Sequence, residues 1–270
     1  MQLRCLDEDR KPLKHASASG FVRIEDGVAF LYTCWHVVTG YDRNHLRVRN
    51  ELPKRAFLEV FVQNHQRQPD GGPGVDGLLP LTVALYDESE RPKKPLWYQD
   101  RAHLPHPDLN AIGLRVPSWH DAVKIPLSAE VKLSELHLVS NPVLPSNTML
   151  TPGDRIYIVG FPYGPSGDRS GLRTPVVLTR FVRATAVRDR PQEVLLDSGG
   201  VPGMSGGPVF VERDDDIALL GVYTGIIYPD PVIERSRKAT ALGACASLSS
   251  CWRGSLPLVR EPTEASSYGP

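Results

Sequence analysis

The chain has 270 residues, 41% of them hydrophobic and 23% charged, and its 31 Lys plus Arg balance 31 Asp plus Glu to a formal net charge of zero. That length and composition suit a globular protein with one large core or two small ones. The balanced charge offers no electrostatic footprint for nucleic acid, and no apolar run reaches the ~18 residues of a membrane span, so neither nucleic acid nor membrane is an expected partner.

Along the chain, Met1–Lys14 (MQLRCLDEDRKPLK) is polar and charged and lacks the apolar stretch of a secretory leader, which favours the cytoplasm. In that compartment the four cysteines, Cys5, Cys34, Cys245 and Cys251, are expected as reduced thiols, and no CxxC pair supports a zinc knuckle or a thioredoxin-like site. Residues 17–38 alternate in short apolar runs, GFVRIE and VAFLYT, around Asp26-Gly27, the signature of a β-hairpin. Residues 56–62 (AFLEVFV), 78–86 (LLPLTVALY) and 111–116 (AIGLRV) read as further strands, and 117–151 as a connector with some strand content.

The second half repeats the style, with strands expected at 155–161, 175–186, 193–197, 208–211 and 217–227, and a strand leading into a terminal helix at 239–252. The last residues, REPTEASSYGP, have the composition of a disordered tail. The 23 glycines and 25 prolines punctuate these runs throughout, and few segments hold a 3.6-residue period over three turns. The periodicity predicts an all-β protein of two barrels or sandwiches.

Gly203-Met204-Ser205-Gly206-Gly207-Pro208 is the most informative segment. A nucleophilic serine needs a protruding hydroxyl, backbone N–H groups converging beside it, and no side chain crowding the substrate carbonyl. Glycines on both sides meet the last two needs, with the N–H groups of Gly203 and Ser205 as the oxyanion hole. A glycine-rich surface turn would carry the same letters. The second signal is His36 in TCWHVV, directly after the first hairpin, which places a base early in the chain and a nucleophile late.

SGFVRIEDGVAFLYTCWHVVTG, HPDLNAIGLRV, PGDRIYIVGFPYG and DSGGVPGMSGGPVF together resemble the trypsin-like serine peptidases, most of all the bacterial intracellular and stress-type branch. WHVVTG and PGMSGGPV are the specific segments. The resemblance implies two perpendicular six-stranded antiparallel β-barrels with a short C-terminal helix or tail. Residues 1–125 would form the barrel carrying the histidine and its orienting residue, 126–255 the barrel carrying the serine, and 256–270 a disordered tail. It also implies that His36 takes the proton of Ser205 and passes it to the leaving amine.

Family members place an aspartate just before a short apolar strand. Around residue 110 two registers fit. Alignment by the apolar positions Leu114 and Val116 puts Asn110 in the aspartate's place, whereas chemistry favours Asp108. The two differ by ~6.6 Å along a strand. Asn110 would orient His36 without stabilising its charged form, giving an attenuated or partner-completed enzyme; Asp108 would complete the triad.

In secreted trypsins an aspartate just before the serine pairs with a freed N-terminus; Met204 stands there, so constitutive competence or an activating protein partner is expected instead. The primary specificity pocket would have Gly199 and Gly200 at its base and Thr224, Gly225 and Ile226 as one wall, with no carboxylate at the base and a preference for small or medium apolar side chains. Asp197 and Glu193 are the carboxylates near enough to alter that. His103 and His106 form an HxxH without a third ligand, residues 164–171 (GPSGDRSG) lack the lysine of a phosphate loop, and Cys34 and Trp35 read as packing residues. No metal and no cofactor is expected.

The leading expectation is a serine endopeptidase acting on a protein or peptide substrate. A catalytically silent or partner-activated binding module is the alternative, and an esterase on the same machinery is a third.

Overall fold

The computed structural model describes residues 1–41, 55–66, 75–87, 89–90, 93–99, 103–104, 109, 114–117, 120–128, 131, 136, 138–162, 175–185, 193–213, 216–227 and 242–247. The polar N-terminal segment proves to be structural. β1 (Gln2–Leu6) buries Leu3, Cys5 and Leu6, and it lies between β2 (Pro12–Ser19) and a strand introduced below. Three well-placed apolar residues in five suffice to seat a strand even where the surrounding composition is charged.

The predicted hairpin forms as written. β3 (Phe21–Glu25) pairs with β4 (Val28–Thr33), and Asp26 and Gly27 take φ values of 49° and 80°, the left-handed pair that a two-residue hairpin turn needs. A single helical turn, α1 (Trp35–Thr39), follows and ends at Gly40, whose φ of 84° is the left-handed conformation that closes a helix. β5 (Phe57–Gln66) and β6 (Val75–Ala84) pair over their whole length, completing a four-stranded sheet of order β2-β1-β5-β6.

Short ladders join β7 (Tyr86–Asp87) to β8 (Lys94–Pro95) and β9 (His103–Leu104) to β10 (Val116–Pro117). Of the strand expected at 111–116, only Val116 lies in a strand among the described residues. Leu114 is buried, but its N–H donates to the Leu109 carbonyl at 2.9 Å, a local bond in place of a ladder. The strand on the other edge of β4 is β11 (Val123–Pro126), inside the segment read as a connector; it buries Val123 and Ile125 and runs from Thr33↔Val123 to Phe30↔Pro126. Its sheet has the order β11-β4-β3.

The second half closes into a six-stranded barrel. Its strands are β12 (Arg155–Gly160), β13 (Val176–Ala184), β14 (Glu193–Leu196), β15 (Pro208–Arg213), β16 (Asp216–Ile227) and β17 (Leu242–Ser247), in the order β12-β13-β14-β17-β16-β15. Inward positions alternate as a pleated strand requires: Ile156 and Ile158 on β12 and Val209 and Val211 on β15 are all fully buried. The predicted terminal helix and tail lie outside the described residues.

Two hydrophobic cores result. One gathers residues from Leu3 to Leu127, the other from Leu144 to Cys245, and β16 serves both: Leu219 and Val222 join the first, Leu220 and Tyr223 the second. The segments of His36 and Ser205 sit beside these cores, Trp35 and Val37 in the first and Met204 in the second. Among the described residues no helix is long and apolar enough to cross a membrane.

Candidate active site

α1 presents His36 at the junction. The helix is one turn long, so its last carbonyls need outside partners. The Gly40 N–H and Arg55 both donate to the His36 carbonyl, at 2.9 and 3.0 Å, and Arg55 and the Cys5 thiol donate to Val37. Trp35 is fully buried beneath it and packs near the Tyr41 ring, a packing residue as its sequence position suggests.

The carboxylate on His36 is Asp121, which the sequence reading did not single out. Its Oδ2 lies 2.6 Å from His36 Nδ1, and its Oδ1 accepts the backbone N–H of His36 at 2.9 Å. The two bonds fix the ring plane relative to the helix backbone, and the carboxylate on Nδ1 favours the tautomer that carries its proton there, with the lone pair on Nε2. The His36 side chain is 30% exposed and that of Asp121 13%, so the pair is sheltered with one open side. Asp108 and Asn110 both lie outside the described residues. The sequence signal for Asp121 was present: it stands immediately before Ala122 and the alternating Val123-Lys124-Ile125, which is the expected pattern of an aspartate before a short apolar strand. The strand was missed, and the aspartate with it.

Ser205 stands on two consecutive turns. Met204 N–H donates to Val201 O at 3.2 Å and Gly207 N–H to Met204 O at 3.0 Å. The third residues of these turns, Gly203 and Gly206, have φ of 93° and 89°, and Pro202 precedes Gly203 as this turn type prefers. Ser205 is the second residue of the latter turn, where a side chain projects outward. Among the described residues, the amide N–H groups of Gly203 and Ser205 carry no hydrogen bond to the protein, while those of Met204, Gly206 and Gly207 are all used. Unused N–H groups flanking a serine are what an oxyanion hole requires.

The serine turn and the histidine segment are tied together. The Tyr223 carbonyl accepts the Gly206 N–H at 2.8 Å and the Cys34 thiol at 3.2 Å. Gly206 follows Ser205 and Cys34 precedes His36 by two, so one carbonyl anchors both. The packing is close enough that a Cβ on Gly206 would overlap the Ser19 carbonyl and Thr33 Oγ1, and one on Gly207 would overlap the Val159 carbonyl. These glycines are required by backbone contact, beyond the need to keep the substrate's path clear.

The donor atoms of Cys34, His36 and Asp121 lie within 4.8 Å of one another. The Cys34 thiol is fully buried, its pKa is raised well above the ordinary thiol value by burial and then by the Asp121 charge, and it already donates to Tyr223. It is a protonated packing group. Cys5 and Cys245 are likewise free and buried.

Of the expected pocket residues, the structure brings Gly225 next to Ser205 and Gly199 next to Ile226. A Cβ on Gly225 would lie 3.8 Å from Ser205 Oγ, one on Gly199 would lie 2.9 Å from Ile226 Cγ1, and one on Gly200 2.8 Å from the Tyr223 hydroxyl. The Gly200 N–H donates to that hydroxyl at 2.6 Å, and burial pushes the Tyr223 pKa up to about 12. Arg180 donates to the Gly199 carbonyl at 3.1 Å. Thr224 sits in a bulge of β16, and its hydroxyl turns to the Ala244 carbonyl at 3.1 Å. Asp197 accepts the Phe181 N–H at 3.1 Å and is thereby held on β13, while Glu193 is buried in the β14–β17 ladder. Met204 is fully buried, and Gly160 comes so close that a Cβ there would lie 2.9 Å from its sulfur, so the position before Ser205 makes an apolar contact. His106 and residues 164–171 lie outside the described residues, as does the side chain of His103.

A nearly all-β chain with a closed six-stranded barrel, and a His–Asp pair tied to a glycine-flanked serine turn, has the fold of the trypsin-like class. The chain belongs to the family of trypsin-like peptidase domains, whose family model matches residues 18–222. No curated protein matches it. Among solved structures it is similar to human heparin binding protein, with 14% sequence identity and a TM-score of 0.49 over 92% of this chain and 86% of that one.

Proposed function

We propose that the protein is a serine endopeptidase with Ser205 as nucleophile, His36 as general base and Asp121 as the residue that orients it. The observation that carries this is the two-bond contact of Asp121 with His36 Nδ1 and N–H, which gives His36 the carboxylate that a serine-peptidase reading needs. An asparagine as the orienting residue would favour a silent or attenuated module, and the carboxylate on His36 argues against it.

In the proposed reaction His36 Nε2 takes the Ser205 proton as Oγ attacks the scissile carbonyl. Asp121 stabilises the imidazolium that forms, and the Gly203 and Ser205 N–H groups receive the oxyanion. Collapse of the tetrahedral intermediate breaks the C–N bond, the proton on His36 goes to the leaving amine, and an acyl-enzyme remains. Water, deprotonated by His36, then releases the acid and restores Ser205.

The test is labelling with a fluorophosphonate, which phosphonylates an activated serine. The native protein is expected to label and Ser205→Ala to be blank. Equal labelling of the two, or none of the native protein, would sink the proposal.

The closeness of Gly199, at the proposed base, to Ile226, on the proposed wall, further supports a narrow primary pocket that takes small or medium apolar side chains. Ile226→Gly is expected to raise cleavage after Leu or Phe at least ~10-fold relative to Ala in a peptide library, the scale of a few methylenes of pocket space. An unchanged profile, or native cleavage after Arg or Lys, would place the pocket elsewhere.

A further inference from the structure

Ser19 is fully buried at the end of β2, and every polar group it has is in use. Its hydroxyl donates to the Gly203 carbonyl at 2.7 Å and accepts the Phe161 N–H at 2.8 Å. Its own N–H donates to the Ser205 carbonyl at 2.8 Å, and its carbonyl accepts the Thr33 hydroxyl at 3.0 Å. One side chain from the first half of the chain thus bridges the first strand of the barrel and the turn that carries the nucleophile.

Resting on the serine-peptidase reading above, we infer that Ser19 is a positioning residue that sets the direction of the oxyanion-hole N–H groups. Peptide units are planar, so fixing a carbonyl fixes the N–H opposite it. The unit joining Gly203 to Met204 is held at both ends, by the Ser19 hydroxyl on its carbonyl and by Val201 on its N–H. The unit joining Ser205 to Gly206 is also held at both ends, by the Ser19 N–H and the Tyr223 carbonyl. Between them lies the Met204–Ser205 unit. Its carbonyl is taken by the Gly207 N–H, so the Ser205 N–H points the other way. Ser19 is the residue common to both flanking clamps.

Removing the hydroxyl leaves the Gly203 carbonyl and the Phe161 N–H without their partner. The Gly203–Met204 plane can then rotate, and the rotation passes through Met204 to the plane carrying the Ser205 N–H. Gly203 has the left-handed φ of 93°, and glycine gives that rotation little steric resistance. His36 and Asp121 are untouched by it, because their contact lies on α1 and the segment before β11.

The experiment compares the rate of fluorophosphonate labelling, across pH, for the native protein, Ser19→Ala and Ser205→Ala, with a thermal melt of each. Loss of one oxyanion donor lowers rates by ~10²–10³, so Ser19→Ala is expected to label about 50-fold or more slowly at every pH. The midpoint of the rate–pH curve, set by His36, stays in place. A purely structural role would lower the melting temperature and leave the labelling rate of the folded protein unchanged, and that result overturns the inference, as does a displaced midpoint. If Ser19→Ala does not fold, Ser19→Thr takes its place. Retention of a tenth or more of the native rate supports the hydroxyl's role, and a folded but unlabelled variant refutes it. A native protein that does not label overturns the peptidase reading itself, whereas rapid labelling of both native and Ser19→Ala removes only the role of Ser19.

Discussion

Asp121→Asn is expected to lower turnover by about four orders of magnitude while the protein stays folded. The aspartate accepts two hydrogen bonds, from the His36 backbone N–H and from Nδ1–H. An asparagine has one acceptor oxygen, so one of these contacts must meet an NH2 group instead. If the NH2 faces Nδ1, the ring carries its proton on Nε2, and that nitrogen can no longer receive the proton of Ser205. In the well-studied triad the same change costs about 10⁴ in kcat through the wrong tautomer, which is ~5.5 kcal/mol of transition-state stabilisation. Asp108→Ala and Asn110→Asp are each expected to change turnover less than ~3-fold, because His36 Nδ1 already has its carboxylate. Labelling rates for the three variants decide the matter: a loss at Asp108 comparable to that at Asp121, or a gain from Asn110→Asp, would return the third position to residues 108–110.

Gly206→Ala is expected to damage the fold more than any change at the reacting atoms. The new Cβ would overlap the Ser19 carbonyl and the Thr33 hydroxyl, in a residue whose φ of 89° already disfavours any side chain. Backbone on one side and a buried, hydrogen-bonded side chain on the other leave no flexible neighbour to yield. Left-handed strain costs of order 1–3 kcal/mol and core overpacking about as much again. At ~2–4 °C per kcal/mol for a chain of this size, the melting temperature should fall by roughly 10 °C or the protein should become insoluble. Ser205→Ala, which removes a hydroxyl from the second position of the same turn, should melt within ~2 °C of the native protein. If Gly206→Ala melted normally and lost only activity, the glycine would be serving substrate access alone.

Much of this molecule follows from local sequence. The Asp26-Gly27 turn is written in two residues because left-handed φ at both positions is a property of those residues and needs no partner. The period-2 runs at Arg155–Gly160 and Asp216–Ile227 give barrel strands for the same local reason, and the GMSGGP segment marks its serine turn because a turn with glycine at the left-handed positions is also short-range. The family membership is legible for these reasons too.

Other features depend on contacts that local patterns do not encode. Val123-Lys124-Ile125 is too short a run to stand out as a strand; it becomes one because β4 offers an open edge, and that pairing carries Asp121 to His36. The N-terminal segment, charged in composition, is an inner strand because Leu3, Cys5 and Leu6 find a core made by residues far along the chain. Ser19 looks like an ordinary serine before a glycine, and three of its four hydrogen bonds exist only because the two halves meet there. His36 and Ser205 could be picked out by residue type and immediate neighbours. The partner carboxylate of His36, the bonds of Ser19 to the serine turn and the closeness of Ile226 to Gly199 were decided by tertiary structure, because each rests on a distance between segments that the chain brings together only when both cores have closed.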